Sequence, residues 1–251
     1  MILSASRRCD IPAFHTPWLM TRLRAGWAGV RGPMNPRQVS LWPMTPGRVD
    51  ALVLWSKNPA PLLPHLDELA AHTLLIQYTL TAYPPSIEPG LPPAADRIAA
   101  FQALARALGP EHLVWRYDPI CYGPGLGRAE HIAAFARLAG QLAGHAGRCV
   151  ISFLDDYPAV RGALRSGGLY APDPAEQLAL AAQADQPLYN AGILSDGVSL
   201  FAVNQTIGTR NAVSNSAIIN NTIGGTAGVN DFTYMGRYRF NICGNTVVRG
   251  K

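Results

Sequence analysis

Through residue 183 the chain alternates short apolar runs with stretches of helical periodicity. The first run, residues 1–3, turns polar at Ser4 and Ser6 and ends in Arg7, Arg8 and Asp10 before a helix-starting Pro12. Trp18, Leu19, Leu23 and Trp27 fall near one helical face, which predicts a helix over 16–30. A Pro/Gly/Asn loop follows, then a short strand at 39–42 and a Pro46-led helical turn. Residues 51–55 read as a buried strand closing on Ser56, Lys57, Asn58 and Pro59, with a helix over 60–71. A strand over 74–81 carries Gln77 and Thr79. Ile98, Phe101, Leu104 and Leu108 then mark a helix over 94–108, stopped by Gly109-Pro110. Further strands are expected at 112–115, closing on Arg116 and Asp118, and at 149–154, carrying Ser152 and closing on Asp155. Helices are expected at 129–143, 159–165 and 174–183.

Strands alternating with helices at this regularity argue for a parallel sheet with right-handed crossovers. Six strands are legible where an eight-stranded barrel needs two more. No Gly-x-Gly-x-x-Gly follows the first strand, so a dinucleotide fold lacks its fingerprint. The expected fold is α/β: an incomplete TIM-like (β/α) barrel of about six βα units over 1–186, then an Asn/Thr/Gly-rich β-hairpin tail over 187–251.

The tail is set apart by composition. All 21 prolines and all six histidines lie at or before Pro187, whereas nine of eleven asparagines lie beyond it. Asn204-Gln-Thr-Ile-Gly-Thr and Asn220-Asn-Thr-Ile-Gly-Gly-Thr recur weakly, and short β-branched runs between Asn/Gly turns suggest hairpins. A grafted segment or a reading-frame error would produce such a break.

Composition narrows the class. With 48% apolar and 15% charged residues the chain is not disordered in character. The net charge is +5, of which residues 188–251, with five basic and two acidic side chains, contribute +3. The cysteines Cys9, Cys121, Cys149 and Cys243 show neither zinc nor disulfide spacing, which suits reduced thiols in a cytoplasmic protein. No secretory leader is expected, nor an apolar stretch long enough to span a membrane. The six histidines lack ligand spacing and read as surface or capping residues. The five tryptophans read as core or barrel wall, with Trp55 or Trp115 placed to stack on a planar ligand.

In a barrel the carboxyl ends of all strands share one mouth. The candidate ligand-binding set is therefore Arg7, Arg8, Asp10, Ser56, Lys57, Asn58, Gln77, Thr79, Arg116, Asp118, Ser152 and Asp155. Several cations there suit phosphate or carboxylate, because guanidinium presents paired donors to such oxygens. The same residues also suit internal ion pairs: Arg116 and Asp118, two apart on a strand, share a face. Lys57 reads equally as a ligand contact or a surface loop residue.

Five separated motifs, the first fourteen residues, Trp55-Ser-Lys-Asn-Pro59, Gln77-Tyr-Thr-Leu-Thr81, Trp115-Arg-Tyr-Asp-Pro119 and Ile151-Ser-Phe-Leu-Asp155, resemble in order a family of bacterial proteins known as domain of unknown function 1848, considered radical-SAM-like. The resemblance covers about residues 1–183 and implies a TIM-barrel-like fold. In full-length members it implies a C-terminal Cys-x3-Cys-x2-Cys cluster holding a [4Fe–4S] centre and S-adenosylmethionine. This chain departs there, since its tail holds only Cys243. Neither cofactor is expected in it, and radical chemistry is not expected. Two alternatives stand beside this: a non-catalytic barrel binding an anionic small molecule or nucleic acid through Arg7, Arg8, Lys57 and Arg116, or a truncated chain without function.

Overall fold

The structure, a computed structural model, describes residues 1–5, 9–31, 35, 37–154 and 158–199. It divides into two compact units, Met1–Thr79 with Leu91–Val114, and Leu80–Gly90 with Trp115–Lys251.

The first unit opens with β1 (Ile2–Ala5), followed by α1 (Ile11–Phe14) and α2 (Thr16–Ala25). An antiparallel ribbon of β2 (Trp27–Arg31) and β3 (Val39–Pro43) comes next. Then come β4 (Ala51–Ser56), a 3-10 segment at Ala60–His65, α3 (Leu66–Leu69), β5 (Leu74–Thr79) and α4 (Ala94–Leu108). β1, β4 and β5 run parallel and adjacent, with Leu3 opposite Leu52, Leu54 opposite Ile76 and Trp55 opposite Gln77. The period of two sends Leu52, Leu54, Ser56, Leu74, Ile76 and Tyr78 to one buried face. There Tyr78 stacks on Phe101 of α4, centroids 5.1 Å apart, and donates its hydroxyl to the Arg97 carbonyl at 2.9 Å. The opposite face stays open: Ile2 is 70% and Trp55 38% exposed. Ala51, Val53, Leu75 and Gln77 on that face are half-buried, so its cover is partial where parallel sheets are ordinarily covered on both sides.

The second unit holds most of β6 (Leu113–Ile120), then α5 (Arg128–Leu142), β7 (Arg148–Phe153), α6 (Pro158–Ser166), α7 (Pro174–Ala191) and β8 (Leu194–Ser199). β7 lies between β6 and β8 and pairs parallel with β8. Its core is aromatic. Trp115 and Phe135 are fully buried and stacked at 4.7 Å, with Tyr117 edge-on to both.

The chain is a mixed α/β protein with parallel strands, and among the described residues no sheet closes on itself. Several elements differ from expectation. The helix expected over 16–30 ends at Ala25, because Gly26 takes a left-handed φ of 76° and returns the chain as β2. The strand at 39–42 therefore joins β2 in a separate ribbon, not the parallel sheet. α7 runs on to Ala191, with Pro187 inside it, and stops at the left-handed Gly192. Of the five tryptophans only Trp115 is core; Trp18, Trp27, Trp42 and Trp55 are 38–48% exposed. His72 and His131 are buried, not surface residues. The hairpins expected beyond residue 199 lie outside the described residues.

Candidate ligand site at the strand ends

In the first unit the segments after β1 and β4 are tied together by one carboxylate. Asp10 caps α1 by accepting the Ala13 N–H on Oδ1 at 2.9 Å, and its Oδ2 accepts the Lys57 N–H at 2.7 Å. Asp precedes the helix because its short side chain reaches back to first-turn donors, and Pro12 suits a position that needs no donor. Ser56, 5% exposed, accepts the Asn58 N–H on its hydroxyl at 2.9 Å, bending the chain as it leaves β4. The Trp55 indole N–H donates to the Ser4 hydroxyl at 2.9 Å, orienting the ring on the open face. Gln77 lies opposite Trp55 in the register, and Thr79 follows it on the same face of β5. This unit thus brings together Ser4, Asp10, Trp55, Ser56, Lys57 and Asn58, with Gln77 beside them. Asp10 and Ser56 are committed to backbone donors and serve as supports.

In the second unit Arg116 and Asp118 form an ion pair with both side chains largely buried. β6 continues to Ile120, so they lie within the strand and not beyond its end. Ser152 is half-buried on β7, with Ser199 of β8 as its backbone partner. Arg7, Arg8 and Asp155 lie outside the described residues.

Sequence reasoning missed a buried polar network in the second unit. The Cys121 carbonyl accepts from His131 Nε2 at 2.9 Å, so that nitrogen carries the hydrogen. Nδ1 is then the acceptor for the Tyr117 hydroxyl at 3.0 Å. Tyr83 donates to the Pro119 carbonyl at 2.8 Å and accepts the Cys121 N–H at 2.9 Å, with Cys121 Sγ 3.4 Å away. Tyr122 stacks on the His131 ring, and its hydroxyl donates to Glu176 on α7 at 3.2 Å. Burial pushes the His131 pKa below its ordinary value, keeping it neutral, and pushes the Tyr83 and Tyr117 hydroxyls up. Burial and the Glu176 carboxylate raise Tyr122 to about 12. The available signal was helical spacing: His131, Phe135, Leu138 and Leu142 share the buried stripe of α5.

Fold and site together define an α/β protein whose parallel strands end in polar, partly cationic segments. A model of the family described as Domain of unknown function (DUF1848) matches residues 2–218, and the chain belongs to that family. No curated protein and no solved structure matches it.

Proposed function

We propose that this protein binds a small anionic ligand, a phosphorylated or carboxylated compound, at the carboxyl ends of β1 and β4. The observation that carries this reading is the double use of Asp10. It ties the start of α1, just beyond Arg7 and Arg8 in sequence, to the backbone of Lys57 after β4. Two adjacent guanidinium groups repel one another, and an anion relieves that repulsion while taking paired hydrogen bonds. Trp55, oriented by Ser4 on an open sheet face, adds a flat apolar wall for the ligand body. The βα arrangement is compatible with descent from a (β/α) barrel, where ligands meet the carboxyl ends of the strands.

The family resemblance implies a [4Fe–4S] centre and S-adenosylmethionine in full-length members. Among the described residues the donor set does not fit that group. Among the described residues no three His, Cys, Asp or Glu side chains converge to hold a metal. Cys121 is buried against Tyr83, and Cys149 is 1% exposed at the start of β7.

Calorimetric titration of the full chain with inorganic pyrophosphate and with a dicarboxylate tests the reading. Saturable binding that Lys57→Ala and Arg7→Ala each weaken roughly tenfold is expected, one charge-assisted contact being worth about 1.5–3 kcal/mol. Absence of binding to either anion, or binding indifferent to both substitutions, removes it.

A further inference from the structure

One segment of this chain carries basic side chains and no acidic ones. Between Asp10 and Asp50 there are five arginines, Arg22, Arg24, Arg31, Arg37 and Arg48, and no aspartate or glutamate. The remaining 16 basic side chains of the chain match its 16 acidic ones. Arg24 is neutralised by Glu68 in a two-pronged pair at 2.6 and 2.7 Å. Arg31, Arg37 and Arg48 are exposed, and among the described residues none of the three is in an ion pair.

The same segment concentrates exposed rings. Phe14 is 72% exposed, and Trp18, Trp27 and Trp42 are 46–48% exposed. The β2–β3 ribbon carries two of these on opposite faces, Trp27 beside Pro43 and Trp42 beside Ala28. Alternation puts Trp27, Gly29 and Arg31 on one face, across from Pro43, Leu41 and Val39. Gly29 leaves room for its neighbours to meet: a Cβ there would lie 3.4 Å from Val39, 3.6 Å from Leu41 and 3.8 Å from Trp27. An apolar strip results, with an aromatic ring at its base and arginines toward its tip. The Arg22 guanidinium lies over the Trp27 ring, 5.5 Å from its centre, in cation–π contact.

We propose that the β2–β3 ribbon with the adjoining α2 is a docking surface for single-stranded nucleic acid. Arg31 and Arg37 contact phosphates, and Trp27, on the same face of the ribbon as Arg31, offers a ring on which a base stacks. Cationic side chains interleaved with aromatic rings are the chemistry that holds single strands without sequence preference. A second copy of the chain docking through this same patch is disfavoured as occupant, because two sets of exposed arginines would face one another.

The test is fluorescence anisotropy of the full chain with labelled oligothymidylate and oligouridylate of about 20 nucleotides, from about 50 to 200 mM salt. Salt-sensitive binding is expected. Arg31→Glu with Arg37→Glu should weaken it at least tenfold, and the matching pair of alanines should flatten the log–log salt slope by about 1.4. Trp27→Leu should cost roughly tenfold and lessen the quenching of tryptophan emission, whereas Trp42→Leu, on the other face of the ribbon, should leave binding unchanged. Lys57→Ala should leave binding unchanged, which separates this surface from the anion site at the strand ends. All charge variants are at exposed positions, and unchanged thermal midpoints show that they fold. No binding at the lowest salt overturns the proposal. So does binding that the Arg31, Arg37 and Trp27 variants leave intact, or capture by anionic vesicles without capture of either oligomer.

Discussion

The carboxylate of Asp10 accepts the backbone N–H of Lys57 at 2.7 Å across 47 residues of chain. One side chain therefore caps α1 and locks the segment after β4 against the segment after β1. Replacing it with alanine removes a helix cap and a charge-assisted bond together. Asp10→Ala should lower stability by about 2–3 kcal/mol, read from the midpoint of urea unfolding at an unchanged slope. Asp10→Asn keeps an acceptor for one donor and should lose less.

Arg116 and Asp118 are a mostly buried pair on one strand face. Removing either partner strands the other charge, so each single alanine should cost about 2–4 kcal/mol, while the double variant costs less than the sum. Strict additivity in this double-mutant cycle would mean that the pair is not coupled in solution.

His131 gives stability a pH dependence of known sign. Its pKa is lowered in the folded protein, so the unfolded chain takes up its proton first on acidification. The stabilisation is complete above the ordinary value of 6.5 and declines as pH falls below it. His72, buried with Nδ1 lacking a partner, acts in the same direction. His131→Gln keeps a donor and an acceptor but cannot titrate. Unfolding measured from pH 7.5 down to 5 should show a shallower fall in this variant than in the parent, with His72 contributing to what remains.

Phe135 is 1% exposed and stacked on Trp115. Phe135→Ala should cost about 3–5 kcal/mol, through lost burial and the cavity left beside the indole. Calorimetry reads this as a lower midpoint, with near-ultraviolet dichroism from the Trp115–Phe135–Tyr117 cluster diminished.

Gly26 ends α2 at φ 76°, and a Cβ there would come within 3.0 Å of Thr45 Cγ2. Gly26→Ala should cost about 1–2 kcal/mol by chirality alone, and the close contact adds to it. The β2–β3 ribbon begins at this turn, so the variant also tests whether the ribbon depends on a sharp reversal. Limited proteolysis should cut faster between residues 26 and 44.

Much of the fold was legible because the sequence carries its periods openly. α4 matches its expected span because Phe101 and Leu104 repeat at helical spacing and Gly109-Pro110 stop it. β4 and β5 were readable as apolar runs. The β2–β3 ribbon was not: Trp18, Leu19, Leu23 and Trp27 continue a helical pattern, and only the backbone choice at Gly26 breaks it. A glycine inside an amphipathic stretch is locally tolerable in a helix, but here Gly26 turns left-handed and its carbonyl accepts the Met44 N–H at 2.8 Å, so the chain reverses into the ribbon.

The candidate site divides the same way. By itself the sequence determined that β1 and β4 end in polar residues, that Asp10 precedes a helix start, and that Arg116 and Asp118 share a face. These follow from local propensity and the strand period of two. Only the tertiary structure decided that Asp10 spends its second oxygen on Lys57 and that Trp55 stands on an open face. It also decided that His131 is neutral and enclosed by Tyr117, Cys121 and Tyr122. Such facts depend on which elements lie side by side. That is set by burial summed over many residues and is not encoded at any one of them.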